Sequence, residues 1–346
     1  MNTNIELSEV RVEEMFKSGE AYEWANKVYR NSAFKAGMEL SEEEVAFSEA
    51  IDKMTKDAVK YGNTQAREAI AQIIVDIIEP KVFSTPNELL TRFLVDKGNY
   101  GEFDMVKVRK SPKNTLVARQ SAMRTGNVDK SFLDIAQGNV SETYLQIETE
   151  LPMSNLRRDG AVGVATLAIY ALEAFDKARF NHVLNYWDAL ITSGAQVFDA
   201  TGAITSTIAQ DLLGYGLDNN VSGGTPLVVG LSNKVREVCK SLDVKYMSEQ
   251  MKDNMNTAGT LQHVGGCDML SVTKGKTLGD GVTKLLPENR VFVFADTIGE
   301  MYTKGELITR ATEDNNSEKI HLKFSGLQFG VCVTDTKYIG KIAITA

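Results

Sequence analysis

At 346 residues the chain is long enough for two domains, and 43% hydrophobic with 24% charged residues is an ordinary globular composition with ample material for a core. A net charge of −8 and a pI of about 5.2 disfavour a free-standing reader of duplex DNA, which needs concentrated Lys and Arg to displace counterions. No stretch approaches the roughly 20 apolar residues that span a bilayer, and the start, with Glu6, Glu9, Arg11, Glu13 and Glu14, lacks the regions of a signal peptide. Cys239, Cys267 and Cys332 are odd in number and far apart, which fits buried thiols in a reducing cytoplasm better than a disulfide framework.

Residues 1 to 62 hold 13 acidic and 8 basic side chains, a net of −5. Within them Ser41, followed by Glu44 and the apolar Val45 and Phe47, predicts a capping box that opens a helix to about Tyr61. A second apolar helix is predicted from Thr64 to Ile78, with Ala66, Ile70, Ile73, Ile74 and Ile77 on or near one face and Pro80 marking its end. Phe103 to Lys110 and Thr115 to Ala122 read as two strands around a turn at Ser111, Pro112, Lys113 and Asn114. In Glu142 to Glu150, the residues Tyr144, Gln146, Glu148 and Glu150 alternate with Leu145, Ile147 and Thr149, the pattern of a strand with one wet face. Residues 103 to 130 carry Lys107, Arg109, Lys110, Lys113, Arg119, Arg124 and Lys130 against Asp104 and Asp129. This excursion is net +5 in an acidic chain and shows no core of its own.

Pro152 and Ser154 or Asn155 open the longest predicted element, an uninterrupted helix from Leu156 to about Trp187 in which Ala161, Val164, Ala168, Ala171, Phe175 and Ala178 recur at spacings of three and four. Such a helix reaches roughly 45 Å at about 1.5 Å per residue, against a radius of gyration of about 20 Å for a compact globule of this length. It is a strut with one small apolar face suited to a sheet. Arg157 and Arg158 in its first turn oppose the positive end of the helix dipole, which Asp159 partly offsets. They read either as solvated arginines or as cations met by a carboxylate of another subunit.

After Gly194 the elements shorten. Thr205 to Leu213 is predicted helical, Pro226 to Val229 a buried strand, and Ser232 the cap of a helix to about Leu242. Met247, Met251 and Met255 share helical spacing and read as core filler or as a subunit contact. Strands are predicted near Asp268 to Thr273, Arg290 to Phe294, Ile320 to Phe324, Gly330 to Thr334 and Lys341 to Thr345.

Motifs that carry chemistry are weak. Gly275, Lys276 and Thr277 imitate a phosphate-binding loop, but the required earlier glycine is Leu270. The joint at Gly230, Leu231 and Ser232 offers amides to an anion, as most capped strand-to-helix joints do. His182, His263 and His321 have no His or Cys partner at ligand spacing, and no Gly-x-Ser-x-Gly elbow occurs. No catalytic, cofactor-binding or metal-binding residue is nominated, and no cofactor is expected.

The order of elements, the run Glu150, Leu151, Pro152 into the long helix, and the closing segment Phe329 to Ile344 with Gly330, Asp335 and Gly340, resemble the major capsid proteins of tailed bacteriophages, the HK97-like fold. The resemblance implies an α+β chain. Residues 1–62 would be an N-terminal arm, 63–97 the helical part of a peripheral domain, and 98–150 an extended β-hairpin loop. Residues 151–187 would be a spine helix, 188–318 a mixed α/β axial domain, and 319–346 strands returning to the peripheral domain. It further implies self-assembly into hexamers and pentamers of an icosahedral shell around double-stranded DNA, in a virion assembled in a bacterial cytoplasm. Partners would be copies of the chain, a separate scaffolding protein, since a start at Met1 leaves no room for a scaffolding segment, and a portal. The inter-subunit contacts would include Lys107, Arg109, Lys110, Lys113, Arg119, Arg124, Arg157, Arg158, Met247, Met251 and Met255. Two rival readings stay open, an encapsulin-type compartment holding a cargo enzyme and an α/β enzyme with its site in residues 188–300.

Overall fold

Ser41 forms the predicted capping box: its hydroxyl accepts from the Glu44 amide at 3.2 Å, and the Glu44 carboxylate accepts from the Ser41 amide at 2.7 Å. The computed structural model describes residues 15–16, 18–60, 63–84, 88–104, 106, 112–113, 134–135, 139–240, 248–257, 261–272, 284–314, 319–333 and 335–345, with backbone alone at some element ends. The arm is folded rather than extended over its described part. Helix α1 (Glu20–Phe34) and helix α2 (Glu42–Ala58) bury Trp24, Ala25, Phe47 and Ile51, with Trp24 and Phe47 edge to face at 4.8 Å.

Helix α3 (Thr64–Ser84) does not stop at Pro80, as the sequence predicts, but contains it. Proline removes one backbone bond, yet Ile77 and Ile78 before it and Val82 after it are all buried, and their apolar burial outweighs that loss. A short helix α4 (Glu88–Thr91) leads into strand β1 (Leu94–Tyr100). The predicted turn centre is also revised. Pro112–Lys113 form strand β2, antiparallel to strand β3 (Asp134–Ile135), with Pro112 opposite Ile135. Phe103 lies in a turn closed by the Asp104 amide on the Gly101 carbonyl at 3.0 Å, and most of the two predicted strands falls outside the described residues.

Strand β4 (Asn139–Pro152) has the predicted alternation, with Glu142, Tyr144, Gln146, Glu148 and Glu150 exposed and Leu145 buried. It runs into helix α5 (Met153–Leu190), the strut. This helix is not uninterrupted. Gly160 adopts φ 46 and ψ −124, and the Ala161 amide, the first of the long regular segment, donates to Asp52 Oδ1 at 2.7 Å. A Cβ at position 160 would overlap that carboxylate, so glycine permits both the backbone turn and the close approach. The apolar stripe is also modified: Ala178 is half-buried, and the buried position beside it is Arg179.

Beyond α5 come β5 (Val197–Thr201), α6 (Ser206–Asp218), β6 (Leu227–Leu231), α7 (Ser232–Lys240), α8 (Glu249–Thr257), β7 (His263–Val264), β8 (Cys267–Val272) and β9 (Arg290–Phe294). Strands β10 (Gly299–Lys304), β11 (Ile308–Asp314), β12 (Lys319–Val333) and β13 (Ile339–Thr345) close the chain. Thr205 caps α6 through the Ile208 amide, and α6 continues past the predicted Leu213 because Gly216 is buried with Leu212 and Leu213. Ser232 does not act as the predicted cap; its hydroxyl donates to the Val272 carbonyl at 3.1 Å. The two strands predicted at Ile320 and Gly330 are one, β12, with a bulge opposite residues 145–147 of β4.

One sheet has the order β1-β10-β12-β11, with β4 also on β12; the other runs β5-β13-β9-β6-β8-β7. The closing strands thus divide: β12 pairs in the sheet beneath the strut, whereas β13 pairs with β5 and β9 in the second sheet, and β10 and β11 join the first. Helices α3 and α5 lie on the first sheet, and α1 and α2 lie on those helices, giving three layers. The second sheet is covered on both faces. Val229, Leu231, Phe292 and Phe294 enter the large core, and Val228, Val291, Val293 and Ile342 enter a second core under α6 and α7, so β6 and residues 291–294 of β9 form near-continuous apolar runs.

The strut joins the two sheets at its end. Trp187, Phe93 and Phe294 pack with centroids 4.5 to 5.1 Å apart. Asp188 Oδ1 accepts from Arg290 Nε at 3.0 Å and from the buried Lys341 Nζ at 2.7 Å.

Asp52→Ala is expected to cost about 1 kcal/mol, the value of a lost helix cap, read as a fall of about 2–4 °C in the thermal midpoint of the free subunit. Asp52→Asn should keep most of it. An unchanged midpoint for Asp52→Ala would show that the long-range cap contributes nothing.

Candidate assembly surfaces

The cations of the excursion, Lys107, Arg109, Lys110, Arg119 and Arg124, and also Met247, lie outside the described residues. Lys113 is in β2 and Met255 in α8, with backbone alone described. Arg157 and Arg158 are exposed on the short helical turns before the Gly160 break. Arg158 pairs with Asp159 of its own chain at 2.8 and 3.0 Å. Met251 is half-buried and packs against the second core, as does Met269.

The outer face of the first sheet is a ladder of opposite charges. Glu148 pairs with Lys323, and Glu150 with Lys319 at 2.5 Å and with His321 at 3.6 Å. Further along, Glu142 accepts from the Tyr302 hydroxyl and from Lys304 at 2.9 Å. The Tyr302 hydroxyl, and after it Lys304, hold the Glu142 carboxyl below the usual carboxylate range. Burial first, and then Glu142, push the Tyr302 phenol up. Tyr302 stands opposite Gly330, its ring occupying the space a Cβ would take, which explains that glycine of the closing segment. Asp335 accepts from the Lys337 amide at 3.0 Å and caps the 3-10 turn before β13.

Sequence reasoning misses Arg179. Its guanidinium is 3% exposed, donates to the Val82 carbonyl at 3.0 Å and lies 5.7 Å from the Phe329 ring, and burial pushes its pKa down. The signal was hidden because one arginine among alanines on a helix leaves no periodic trace. A second missed feature is the aromatic group of Tyr29, Phe34 and Tyr170, where α1 meets the strut.

A recess of about 340 Å³ lies between the sheets, lined by Arg92, Ser222, Thr225, Asp268, Asp296 and Thr297 among others. It opens at the N-terminal ends of the parallel pair β6 and β8, near Leu227 and Asp268, whereas ligands of open α/β sheets bind outside the carboxyl ends. Its carboxylates are engaged locally. Asp268 meets His263 at 2.5 Å and Arg92 at 3.8 Å, and Asp296 accepts from the Ser222 and Thr297 amides. His182 meets Ser141 at 3.3 Å, far from both other histidines in the fold. Cys239, Cys267 and Cys332 are buried free thiols, the latter two pushed up to about 11 chiefly by desolvation. Among the described residues no group of three or more His, Cys, Asp and Glu could hold a metal ion, and no helix is long and apolar enough to cross a membrane. The Gly275, Lys276, Thr277 imitation lies outside the described residues.

Residues 13–343 match the family described as "SPbeta prophage-derived putative capsid protein YonB". The chain belongs to that family. No curated protein matches it. Its fold is similar to a chain from Gordonia phage Cozz, with 12% identity and a TM-score of 0.50 over 76% of this chain and 88% of that one. It is also similar to a capsid chain of the native GTA particle, with 12% identity and a TM-score of 0.51 over 74% of this chain and 90% of that one. At such identity the likeness concerns the fold, which is the HK97-like capsid fold. Family and fold together support the role of a self-associating structural component of a capsid shell and a place in the virion.

Because the Glu142 carboxyl is lowered in the folded chain, its stabilisation is present above the ordinary carboxylate value of about 4.3 and is lost as pH falls through its folded value. Asp76, Glu79 and Asp176 are raised by burial and act in the opposite sense, so the total slope mixes both. The difference in thermal midpoint between wild type and Glu142→Gln isolates the first term. It should be largest above pH 5 and shrink towards pH 3; a difference independent of pH would remove the charged bond from the account.

Proposed function

We propose that copies of this chain assemble into hexamers and pentamers of an icosahedral shell that encloses double-stranded DNA. The observation that carries this is the capsid-family match over residues 13–343 on a chain whose core is a strut helix between a sheet and an arm. Affinity in such a shell comes from many modest contacts, each reversible, that together close irreversibly. The net charge of −8 suits a wall that faces packed DNA without binding it by sequence.

Residues 1–62 act as the arm and 98–150 as the extended loop in this reading. The strut with the first sheet forms the peripheral domain, and the second sheet, including β13, forms the axial domain. The loop cations Lys107, Arg109, Lys110, Lys113, Arg119 and Arg124 lie on a neighbouring subunit, steered by its acidic surface. Arg157, Arg158, Met247, Met251 and Met255 complete the proposed contact set. A separate scaffolding protein and a portal are the expected helpers, with assembly in a bacterial cytoplasm.

Negative-stain microscopy with size-exclusion light scattering, on nuclease-treated protein made alone and beside its neighbouring genes, tests the reading. Closed shells or six- and five-fold rings are expected, with nucleic acid inside; enclosed protein cargo would favour a compartment, and a clean monomer or dimer in both preparations would sink the shell. Deleting Lys107 to Asn114 should leave a folded subunit that fails to assemble. Arg109→Glu should weaken assembly more at low salt than at high salt, and a normal yield with a normal salt response would exclude the electrostatic contact.

A further inference from the structure

Helix α1 ends in an ordered loop that holds apolar side chains in water. Lys35 takes a left-handed conformation at φ 51, and its amide donates to the Arg30 carbonyl. Asn31 closes the loop beyond it: Nδ2 donates to the Met38 carbonyl at 2.8 Å, and Oδ1 accepts from the Met38 amide at 2.7 Å. Phe34 is then 69% and Met38 38% exposed, and Tyr170 of the strut is 52% exposed. Tyr29 stands edge-on to both rings, 5.9 Å from Phe34 and 5.6 Å from Tyr170, so the aromatic side chains form one patch across α1 and α5. Fixing a loop costs conformational entropy, and a fixed loop that displays a phenylalanine marks a surface for another segment to cover.

The cations at the patch set the sign of its cover. Arg30 and Lys35 are exposed at the same helix end, and among the described residues neither forms an ion pair. Of the carboxylates on the neighbouring elements, Glu173 is engaged by Lys177 at 2.7 Å and Glu44 by Lys27 at 2.8 Å, while Glu39, next to Met38, is exposed. An occupant that is both apolar and acidic fits such a surface. The sequence supplies one immediately before Met15. Residues 1–14 carry Glu6, Glu9, Glu13 and Glu14 against Arg11 alone, a net of −3, with Ile5, Leu7, Val10 and Val12 among them.

The tether of this segment lies within its reach of the patch. Met15 is 2% exposed and Phe16 packs edge to face on Phe47 at 5.7 Å, so the chain enters the arm fixed against α2. Gly19, at φ 80, turns it into α1, its amide on the Phe16 carbonyl at 3.3 Å. The chain from Met15 to Phe34 is mostly helix, which places the patch within about 30 Å of Met15. Extended, residues 1–14 reach about 45 Å. A tether of this length holds the segment near its own patch at an effective concentration on the order of millimolar, which favours it over the same segment of a neighbour. We propose that residues 1–14 fold back along α1 and cover the patch of Tyr29, Phe34, Met38 and Tyr170 on their own subunit, apolar side chains on the rings and carboxylates towards Arg30 and Lys35. The contact shields an aromatic surface in the free chain. Its exposed charges make it sensitive to salt. The inference goes beyond the shell reading and does not rest on it, because it concerns a single chain.

The test uses full-length chains carrying Ala33→Cys, at an exposed position beside the patch, combined in turn with Leu7→Cys, Val10→Cys or Val12→Cys. They are oxidised while folded, then unfolded and resolved without reductant; the three native cysteines are buried. A link within one chain is expected from at least one double variant and from no single one, seen as faster migration at monomer mass and the loss of two free thiols. Adding Arg30→Glu and Lys35→Glu should lower the rate of linking about tenfold, as loss of two exposed ion pairs does, and Glu6→Lys with Glu9→Lys should restore it. Links found only between chains would put the segment on a neighbour and overturn the proposal. Linking no faster than to a control cysteine at the exposed Asp199 of β5 would overturn it as well. Shells or rings in the same preparations report on the shell reading separately, so either can fail without the other.

Discussion

Helix α5 from Ala161 to Leu190 packs on two sides, on β4 and β12 below and α1, α2 and α3 above, and its first residue, Ala161, is buried, where water is a poor partner for an unpaired amide. A helix leaves its first amides without internal acceptors, and here one of them is met by Asp52, a residue 109 positions earlier in the chain. At the other end Asp188 gathers Arg290 and Lys341, and Trp187 packs with Phe93 and Phe294. The strut therefore fixes the arm at one end and the second sheet at the other. A change in either carboxylate reaches beyond its own neighbourhood, because each joins segments far apart along the chain.

Burial on both sides also explains why the strut carries an arginine. Arg179 lies between the α3 terminus and the Phe329 ring; its Nη1 donates to the Val82 carbonyl and stands 3.9 Å from Asp176 Oδ1, while Nε and Nη2 are buried without an acceptor among the described residues. Such a group is costly where apolar contact would serve. Its head joins α3, through the Val82 carbonyl, to the Phe329 ring of β12.

The surface divides its charges by purpose. On the first sheet, Glu142, Glu148 and Glu150 are matched within the chain by Lys304, Lys323 and Lys319 as opposite-charge cross-strand pairs. Glu39 before α2 and Glu42 and Glu49 on it are exposed, and the main concentration of cations in the sequence sits in residues 103–130. Opposite charges are thus concentrated in different segments of the chain.

Local rules carried a large part of this fold. The Ser41 box, the alternation of β4, the strut and the core strand at Arg290–Phe294 follow from spacing within a few residues, and composition with the order of elements led to the capsid family. Pro80 inside α3, the break at Gly160 and the single long β12 did not follow, because each is decided by tertiary contact: the burial of Ile77, Ile78 and Val82 around Pro80, Asp52, and the paired length of β4. The division of the last strands between two sheets is of the same kind, since Ile339, Ile342 and Ile344 have the same pattern whichever sheet receives them. The aromatic patch was illegible for a further reason, as Tyr29, Phe34 and Tyr170 are brought together by α1 lying on the strut. The sequence by itself determined which segments are helix, strand or charged excursion, through periodicity and charge. Only the tertiary structure decided where helices break, which sheet each strand joins and which side chains share a surface, because those depend on contacts between residues far apart along the chain.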